Sequence, residues 1–132
     1  MSGPPSDEFH PPDRTWRQKF RDAFRGLRCG LRDQSSFHVH AVVAVAVLAC
    51  AAVLRATYLE WAALLLCIAL VILAEMFNTA LEHLAKAVDR SRNVHLGNAL
   101  DIGSAAVLLA ACGSVAAGGL VLCVRFVAWW RG

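Results

Sequence analysis

The chain has 132 residues, of which 58% are hydrophobic, and its mean hydropathy is +0.51. Soluble domains are nearer half apolar, so this composition predicts one small domain with much of its apolar surface facing lipid. The net charge of +3 is unevenly distributed, because seven of the thirteen Lys and Arg residues lie between Arg14 and Arg32. The five cysteines are scattered, without a CxxC pair or a His/Cys cluster at zinc spacing. We therefore expect neither a disulfide framework nor a structural metal.

The N-terminal part of the chain divides into a tail and a basic segment. Residues 1–12 contain all four prolines and few apolar side chains, so we expect a disordered tail. Residues 13–32 carry aromatic and leucine side chains at spacings of three and four, with basic residues over the remaining surface. Such an amphipathic helix lies in the membrane interface and is attracted to anionic lipid. A nucleic-acid-binding arm is the alternative, and it is disfavoured because no base-reading fold follows.

Three apolar stretches follow, at about 37–54, 61–84 and 102–124, and each predicts a membrane-spanning helix. His38 and His40 lie at the entrance of the first span, where we expect interfacial hydrogen bonds rather than a catalytic role. The third span contains no charge and is rich in small residues, which allow close packing of helices in lipid. No apolar segment of the signal-peptide type occurs in the first 36 residues, so the first span is expected to direct insertion.

The predicted fold is an all-α membrane protein, in which residues 13–132 form one domain of a surface helix and three spans. The orientation follows from the distribution of basic residues. The N-terminal segment holds seven of them and the loop after the second span holds three, whereas the first loop holds only Arg55, balanced by Glu60. The positive-inside rule therefore places the N-terminus and the second loop in the cytoplasm, and the C-terminus outside.

The end of the second span carries polar residues at helical spacing. At 100° per residue, Glu75, Asn78 and Glu82 fall at about 0°, 300° and 340°, and Lys86 and Asp89 continue the same stripe. A charge at bilayer depth costs about 2.5 kcal/mol or more, so two carboxylates on one stripe indicate a site. One carboxylate can accept the proton of a lipid hydroxyl, and the other can hold Mg²⁺. Together they outline a phosphoryl transfer.

Two other interpretations of this stripe remain open. Glu75 and Glu82 could pair with Lys86 and Arg90 and only hold helices together. A proton or ion pathway through Glu75 is disfavoured, because the span offers a single carboxylate at that depth, which covers only a short part of a path across the membrane. The chain has no P-loop and no Gly-rich kinase loop, since Gly97-Asn98-Ala99 does not match a Walker motif.

Three motifs carry a resemblance to a known family. Residues 74–82, Ala-Glu-Met-Phe-Asn-Thr-Ala-Leu-Glu, match the pattern Glu-x-x-Asn-[Ser/Thr]-Ala-x-Glu. Residues 101–108, Asp-Ile-Gly-Ser-Ala-Ala-Val-Leu, match a second pattern of an Asp followed by small residues, and Arg25-Gly26-Leu27 matches a third. With these motifs, the chain from about Phe24 to Val124 resembles the small prokaryotic diacylglycerol kinases and their undecaprenol kinase relatives.

The resemblance implies an enzyme that transfers the γ-phosphate of MgATP to a lipid hydroxyl, on diacylglycerol to give phosphatidic acid or on undecaprenol. It also implies a homotrimer in the bilayer, with composite sites between protomers and no nucleic-acid partner. Glu75 matches the family's proton acceptor, which contacts the lipid substrate, and Glu82 matches its ATP- and metal-binding carboxylate. Asn78 and Asp101 match polar residues of the nucleotide site, and Ser104 matches a position on the substrate side.

The chain departs from the family pattern at two positions. Gln34 stands where the family has a second metal-binding Glu, and its amide oxygen brings no charge, although it can still ligate Mg²⁺ in the nucleotide site. Leu100 replaces a Lys that contacts phosphate; Lys86, Arg90 or Arg92 are the candidates to supply that charge. The alternative function is therefore a non-catalytic or weakly active membrane scaffold of the same fold that binds nucleotide.

Overall fold

The computed structural model describes residues 15–32, 35–88 and 93–132, and these residues form four α-helices. The helices are α1 (Trp16–Arg32), α2 (Ser35–Val53), α3 (Tyr58–Val88) and α4 (Val94–Arg131). The all-α prediction is confirmed, with one short amphipathic helix followed by longer apolar ones. The predicted tail lies outside the described residues, as do Gln34, Asp89, Arg90 and Arg92.

Helix α1 leaves its apolar face uncovered by the rest of the chain. Trp16, Phe20 and Phe24 are exposed, and the ammonium of Lys19 lies 5.0 Å from the centre of the Trp16 ring. Near its end the helix approaches the other helices at Gly30, where an added Cβ would lie 4.0 Å from side-chain atoms of both Phe37 and Met76. An amphipathic helix attached at one end, with exposed aromatic residues, has the form expected of a helix that lies on a membrane.

Two of the three predicted spans meet the length and hydropathy needed to cross a bilayer. These are α3 and α4, and only 28% and 6% of their apolar windows are buried, whereas the core helix of a soluble protein is mostly buried. The chain is therefore a membrane protein with long apolar helices. The apolar part of α2 is shorter, Phe37–Val53. It ends at a turn in which Arg55 takes a left-handed φ of 53°, a conformation that stops the helix.

Helices α3 and α4 pack against each other as an antiparallel hairpin, and four contacts define their register. The pairs are Gly103 with Asn78, Ser114 with Cys67, Gly118 with Leu64, and Arg125 with Glu60. Gly103 and Gly118 are buried against α3, so part of the small-residue face is used within the protomer. Two other glycines of α4, Gly113 and Gly119, have no neighbouring atom within 4 Å of an added Cβ.

A capped turn closes one end of this hairpin. The backbone N–H and the hydroxyl of Thr57 donate to Glu60 Oε2, at 2.6 and 2.7 Å, and Nε of Arg125 donates to the same oxygen. Thr57 and Glu60 have the spacing of a capping box, which satisfies donors at the start of α3. The ion pair with Arg125 then ties the last turns of α4 to the first turn of α3.

The helices extend beyond the apolar runs that predicted them. Asn93 caps α4, because its side-chain oxygen accepts from the backbone N–H groups of His95 and Leu96 at 3.0 and 3.3 Å. Helix α4 thus begins at Val94, about two turns before the apolar stretch at residue 102, because a cap rather than hydropathy sets where a helix begins. Helix α3 likewise continues to Val88. The polar stripe thus lies on regular helix rather than in a loop.

Candidate functional site

The predicted stripe on α3 continues the apolar seam along which this helix packs. Six residues of α3 are buried and, at 100° per residue, occupy an arc of about 120°. They are Leu64, Val71, Glu75, Asn78, Thr79 and Ala85. On this face of α3 the apolar Leu64 and Val71 come before the polar Glu75, Asn78 and Thr79. The site lies within the helix packing, at the end of the hairpin opposite the capped turn.

Glu75 is buried, and among the described residues its hydrogen-bond partner is His40 of α2. His40 Nε2 lies 3.0 Å from Glu75 Oε1, and the two side chains retain 24% and 7% of their accessible surface. An ionised carboxylate can only accept, so Nε2–H of the imidazole is the donor when Glu75 is charged. This bond joins residues 35 positions apart in sequence. It offsets much of the cost of burying a carboxylate in apolar surroundings.

The next turn of α3 holds the amide and the second carboxylate. Asn78 Nδ2 donates to Glu82 Oε1 at 3.1 Å. Asn78 Oδ1 and the Thr79 hydroxyl are buried and have no hydrogen-bond partner in the part of the chain that the structure describes. An unpaired buried polar group costs about 1–3 kcal/mol, so such groups need a reason to be there. A ligand that accepts from or donates to them is one such reason.

Gly103 brings α4 unusually close to this turn. A Cβ at position 103 would lie 2.6 Å from Asn78 Oδ1 and 3.1 Å from Leu81 Cδ1, so only glycine allows the observed approach. Close approach of backbone to a side chain is the usual reason for a glycine within a helix. The second family motif therefore contacts the first through Gly103.

The structure does not bring every predicted site residue into contact. Asp101 and Ser104 flank Gly103 on α4, yet both are exposed, and the Ser104 hydroxyl donates to Leu100 O at 3.0 Å. Lys86 is exposed and makes no ion pair with any residue of the described ranges, so Glu75 pairs with His40 there and not with Lys86; pairing with Arg90 lies outside the described residues. The position of Gln34 is not described.

Three parts of this site do not follow from the sequence pattern: the bond of His40, the buried Thr79 hydroxyl and the contact of Gly103. The pattern treats the two histidines alike, but His38 is exposed without a hydrogen bond in the described part of the chain, whereas His40 is bonded to Glu75. It also gives no role to Thr79 or to the contact of Gly103. The small-residue motif around Gly103 was the available signal, since close helix approach follows from it. Nothing local identifies His40, because its partner lies on another helix.

An apolar cleft of about 270 Å³ lies between α2, α3 and α4. Val43, Val71 and Val115 are typical of its lining, and His40 lies at the end nearest Glu75. Ser114 also lines the cleft, but its hydroxyl already donates to Cys67 O at 3.1 Å. The cleft can accept a hydrocarbon group beside the buried carboxylate.

Comparison with known proteins identifies the family. Residues 21–122 match the family described as prokaryotic diacylglycerol kinase. The chain belongs to this family. A relative from Synechocystis sp., named diacylglycerol kinase, is 36% identical over 104 residues, which cover 78% of this chain and 59% of the relative. The chain thus spans about three fifths of that relative's length. No solved structure matches the chain. The matched region contains every residue assigned to the site.

The close approach at Gly103 yields a test. Gly103→Ala is expected to lower the free energy of unfolding by about 1–3 kcal/mol, the usual cost of overpacking, because its Cβ collides with Asn78. Gly113→Ala is the matched control, since its Cβ meets nothing within 4 Å and alanine favours helix. Denaturant titration in detergent micelles measures both. Adding Asn78→Ala to Gly103→Ala should recover most of the loss, and equal effects at the two glycines would contradict the close approach.

Proposed function

We propose that this protein is an ATP-dependent lipid kinase, which transfers the γ-phosphate of MgATP to the hydroxyl of a membrane lipid. The observation that carries the proposal is the buried carboxylate of Glu75, bonded to His40 and followed by Asn78 and Glu82 on one helix face. Membership of the prokaryotic diacylglycerol kinase family supports the same reaction.

The two carboxylates differ in depth, which favours different roles. They are seven residues apart on α3, or about 10 Å at 1.5 Å per residue. Glu75 lies deeper, bonded to His40 of the cleft lining, and is the proposed proton acceptor for the lipid hydroxyl. Glu82 is only partly buried and lies nearer the helix end, where MgATP arrives from water. It is the proposed metal and nucleotide ligand.

The donor set around Glu82 fits a hard cation that arrives with phosphates. Its carboxylate and the unpaired Asn78 Oδ1 are oxygen ligands, which Mg²⁺ prefers, and Mg²⁺ commonly binds through one or two protein oxygens plus substrate phosphates. When bound, the cation neutralises charge on the phosphates. Asp101 and Gln34 are proposed to complete the nucleotide site. No group of three or more metal-ligating His, Cys, Asp or Glu side chains occurs among the described residues.

The lipid is proposed to be diacylglycerol or undecaprenol. The printed name of the Synechocystis relative favours the first. The cleft is lined mainly by aliphatic side chains. These side chains do not distinguish the chains of diacylglycerol from those of undecaprenol, so the cleft fits either lipid. Ser104 is proposed to lie on the substrate side, and its exposed position on α4 is consistent with a contact at the membrane surface.

A second candidate is a membrane scaffold of the same fold that binds nucleotide without turnover. Leu100 favours it, because the family has a phosphate-contacting Lys at that position. Against it, Glu75, Asn78 and Glu82 all retain the family's residue types and lie on one face. The hydrogen bond to His40 gives Glu75 a structural role, but it gives none to the buried, unpaired Asn78 Oδ1 and Thr79 hydroxyl, which a bound ligand would satisfy.

The decisive experiment follows radiolabel from γ-labelled ATP into extracted lipid. Purified protein in micelles is supplied with diacylglycerol in one arm and undecaprenol in the other, and we expect label in one lipid at least. Glu75→Gln should abolish turnover with nucleotide binding nearly intact, since it removes a group needed only in the transition state. Glu82→Gln should instead weaken MgATP binding and shift the Mg²⁺ dependence.

Three results would contradict this proposal. Label in neither lipid, from protein that binds MgATP, would favour the scaffold. A Glu75→Gln variant that turns over normally, or one that mainly raises KM for ATP, would remove Glu75 from its role. An unchanged Mg²⁺ dependence in Glu82→Gln would remove Glu82 from the metal.

The orientation in the membrane is also proposed. The site lies at the end of the hairpin near α1 and the basic segment, and Glu60 with Arg125 lie at the other end. With the excess of basic residues inside, the N-terminus is cytoplasmic in a bacterial inner membrane, and the site meets cytoplasmic ATP. A cysteine placed at position 91 of a cysteine-free variant should resist labelling from outside intact cells. Labelling there would reverse the orientation.

A homotrimer with sites shared between protomers is proposed from the family resemblance. Helix α4 supports association, because only 6% of its apolar window is buried within the protomer and an added Cβ at Gly113 would meet nothing within 4 Å. Mass measurement of the active protein in mild detergent should give three copies. A fully active monomer would exclude sites built from two protomers.

A further inference from the structure

We infer that His40 is a positioning residue for the phosphoryl transfer: its Nε2–H holds Glu75 Oε1, so that Oε2 takes the proton of the lipid hydroxyl. The inference rests on the proposed function, because it requires Glu75 to be the proton acceptor. It adds a specific task for a histidine of α2 that the roles of Glu75, Asn78 and Glu82 leave unassigned.

The geometry gives the two carboxylate oxygens different surroundings. Oε1 lies 3.0 Å from His40 Nε2, and Oε2 makes no hydrogen bond to any residue of the described ranges. A glutamate side chain has three rotatable bonds, and in apolar surroundings one bond from a separate helix removes most of that freedom. The imidazole therefore sets which oxygen is available to the lipid and where that oxygen lies.

The surroundings of His40 are mainly apolar. Phe37, one turn earlier on α2, is buried, and the His40 side chain lines the apolar cleft at the end nearest Glu75. An aliphatic residue would suit the lining of the cleft better, since a polar group there costs free energy unless it is bonded. A lipid that occupies the cleft therefore contacts His40, which is bonded to Glu75.

The proton has a complete path that leaves His40 unchanged. The hydroxyl proton of the lipid moves to Glu75 Oε2 as the lipid oxygen bonds to the γ-phosphorus. The bond from that phosphorus to the ADP oxygen breaks, and ADP leaves with the electron pair. His40 keeps its Nε2 proton throughout, so it acts neither as acid nor as base.

Three substitutions at His40 test this role. His40→Leu removes the donor and should lower kcat by about 10²-fold, the usual effect of a misplaced reacting group, with KM for ATP nearly unchanged. His40→Gln places an amide N–H near the position of Nε2 and should restore most of kcat. His40→Asn is one methylene shorter and should not. His38→Leu is the matched control on the same helix, and its activity should be unchanged.

Repeating the His40 substitution in a Glu75→Asp variant distinguishes two roles of His40: positioning of Glu75 and direct contact with the lipid. Glu75→Asp withdraws the carboxylate by one methylene, beyond the reach of His40, and should keep a low but measurable kcat. In that background His40→Leu should cost little more, since two residues that act as a unit are not additive. A full loss from His40→Leu in both backgrounds would overturn the inference, as would a kcat in His40→Gln as low as in His40→Asn.

The outcomes also distinguish this inference from the proposed function. If Glu75→Gln is inactive while His40→Leu retains kcat, only the role of His40 fails. If Glu75→Gln is active, the proton acceptor is wrong and both fail. If His40→Leu does not fold, as thermal unfolding in micelles would show, the comparison of His40→Gln with His40→Asn decides, because both are polar and similar in size.

Discussion

A carboxylate in apolar surroundings is stable only with a hydrogen-bond partner, and Glu75 finds this partner, His40, on a different helix. The requirement links the register of α2 to that of α3, because the two residues meet only in one alignment of the helices. The same alignment places Phe37 near the end of α1, beside Met76. The surface helix and the first apolar helix therefore reach α3 at the same level as the buried carboxylate.

The hairpin of α3 and α4 supplies the other half of the site. Gly103 and Gly118 let the two helices approach closely, and the closest approach is at Asn78. In lipid there is little hydrophobic force between helices, so van der Waals contact and hydrogen bonds between small residues stabilise the pair. The small-residue face therefore serves the protomer first. Gly113 and Gly119 take no part in this close approach, since an added Cβ would meet nothing within 4 Å at either position.

The departures from the family concern charge rather than shape. The described part of the site is rich in oxygen atoms and poor in cations, since Leu100 occupies the position of the family's Lys. Lys86 lies one turn beyond Glu82 on the same stripe, exposed and without an ion pair to any described residue. Lys86 is thus the one of the three candidate cations, Lys86, Arg90 and Arg92, that lies within the described residues.

The sequence alone was sufficient for the helical class, the polar stripe and the family. Each depends on short-range periodicity or on motifs within one helix: apolar runs gave the membrane helices, and the spacing of Glu75, Asn78 and Glu82 gave the shared face. Hydropathy does not locate the start of α4, because the Asn93 cap determines it, whereas α2 ends beside the turn at Arg55, where the apolar run also ends.

The tertiary structure decided which residues complete the site. His40 and Glu75 are separated by 35 positions, and Gly103 meets Asn78 across the hairpin. Periodicity places residues on a face but does not say what that face meets. His38 and His40 are two positions apart on α2, and only the packing of α2 against α3 gives one of them a buried carboxylate and leaves the other exposed.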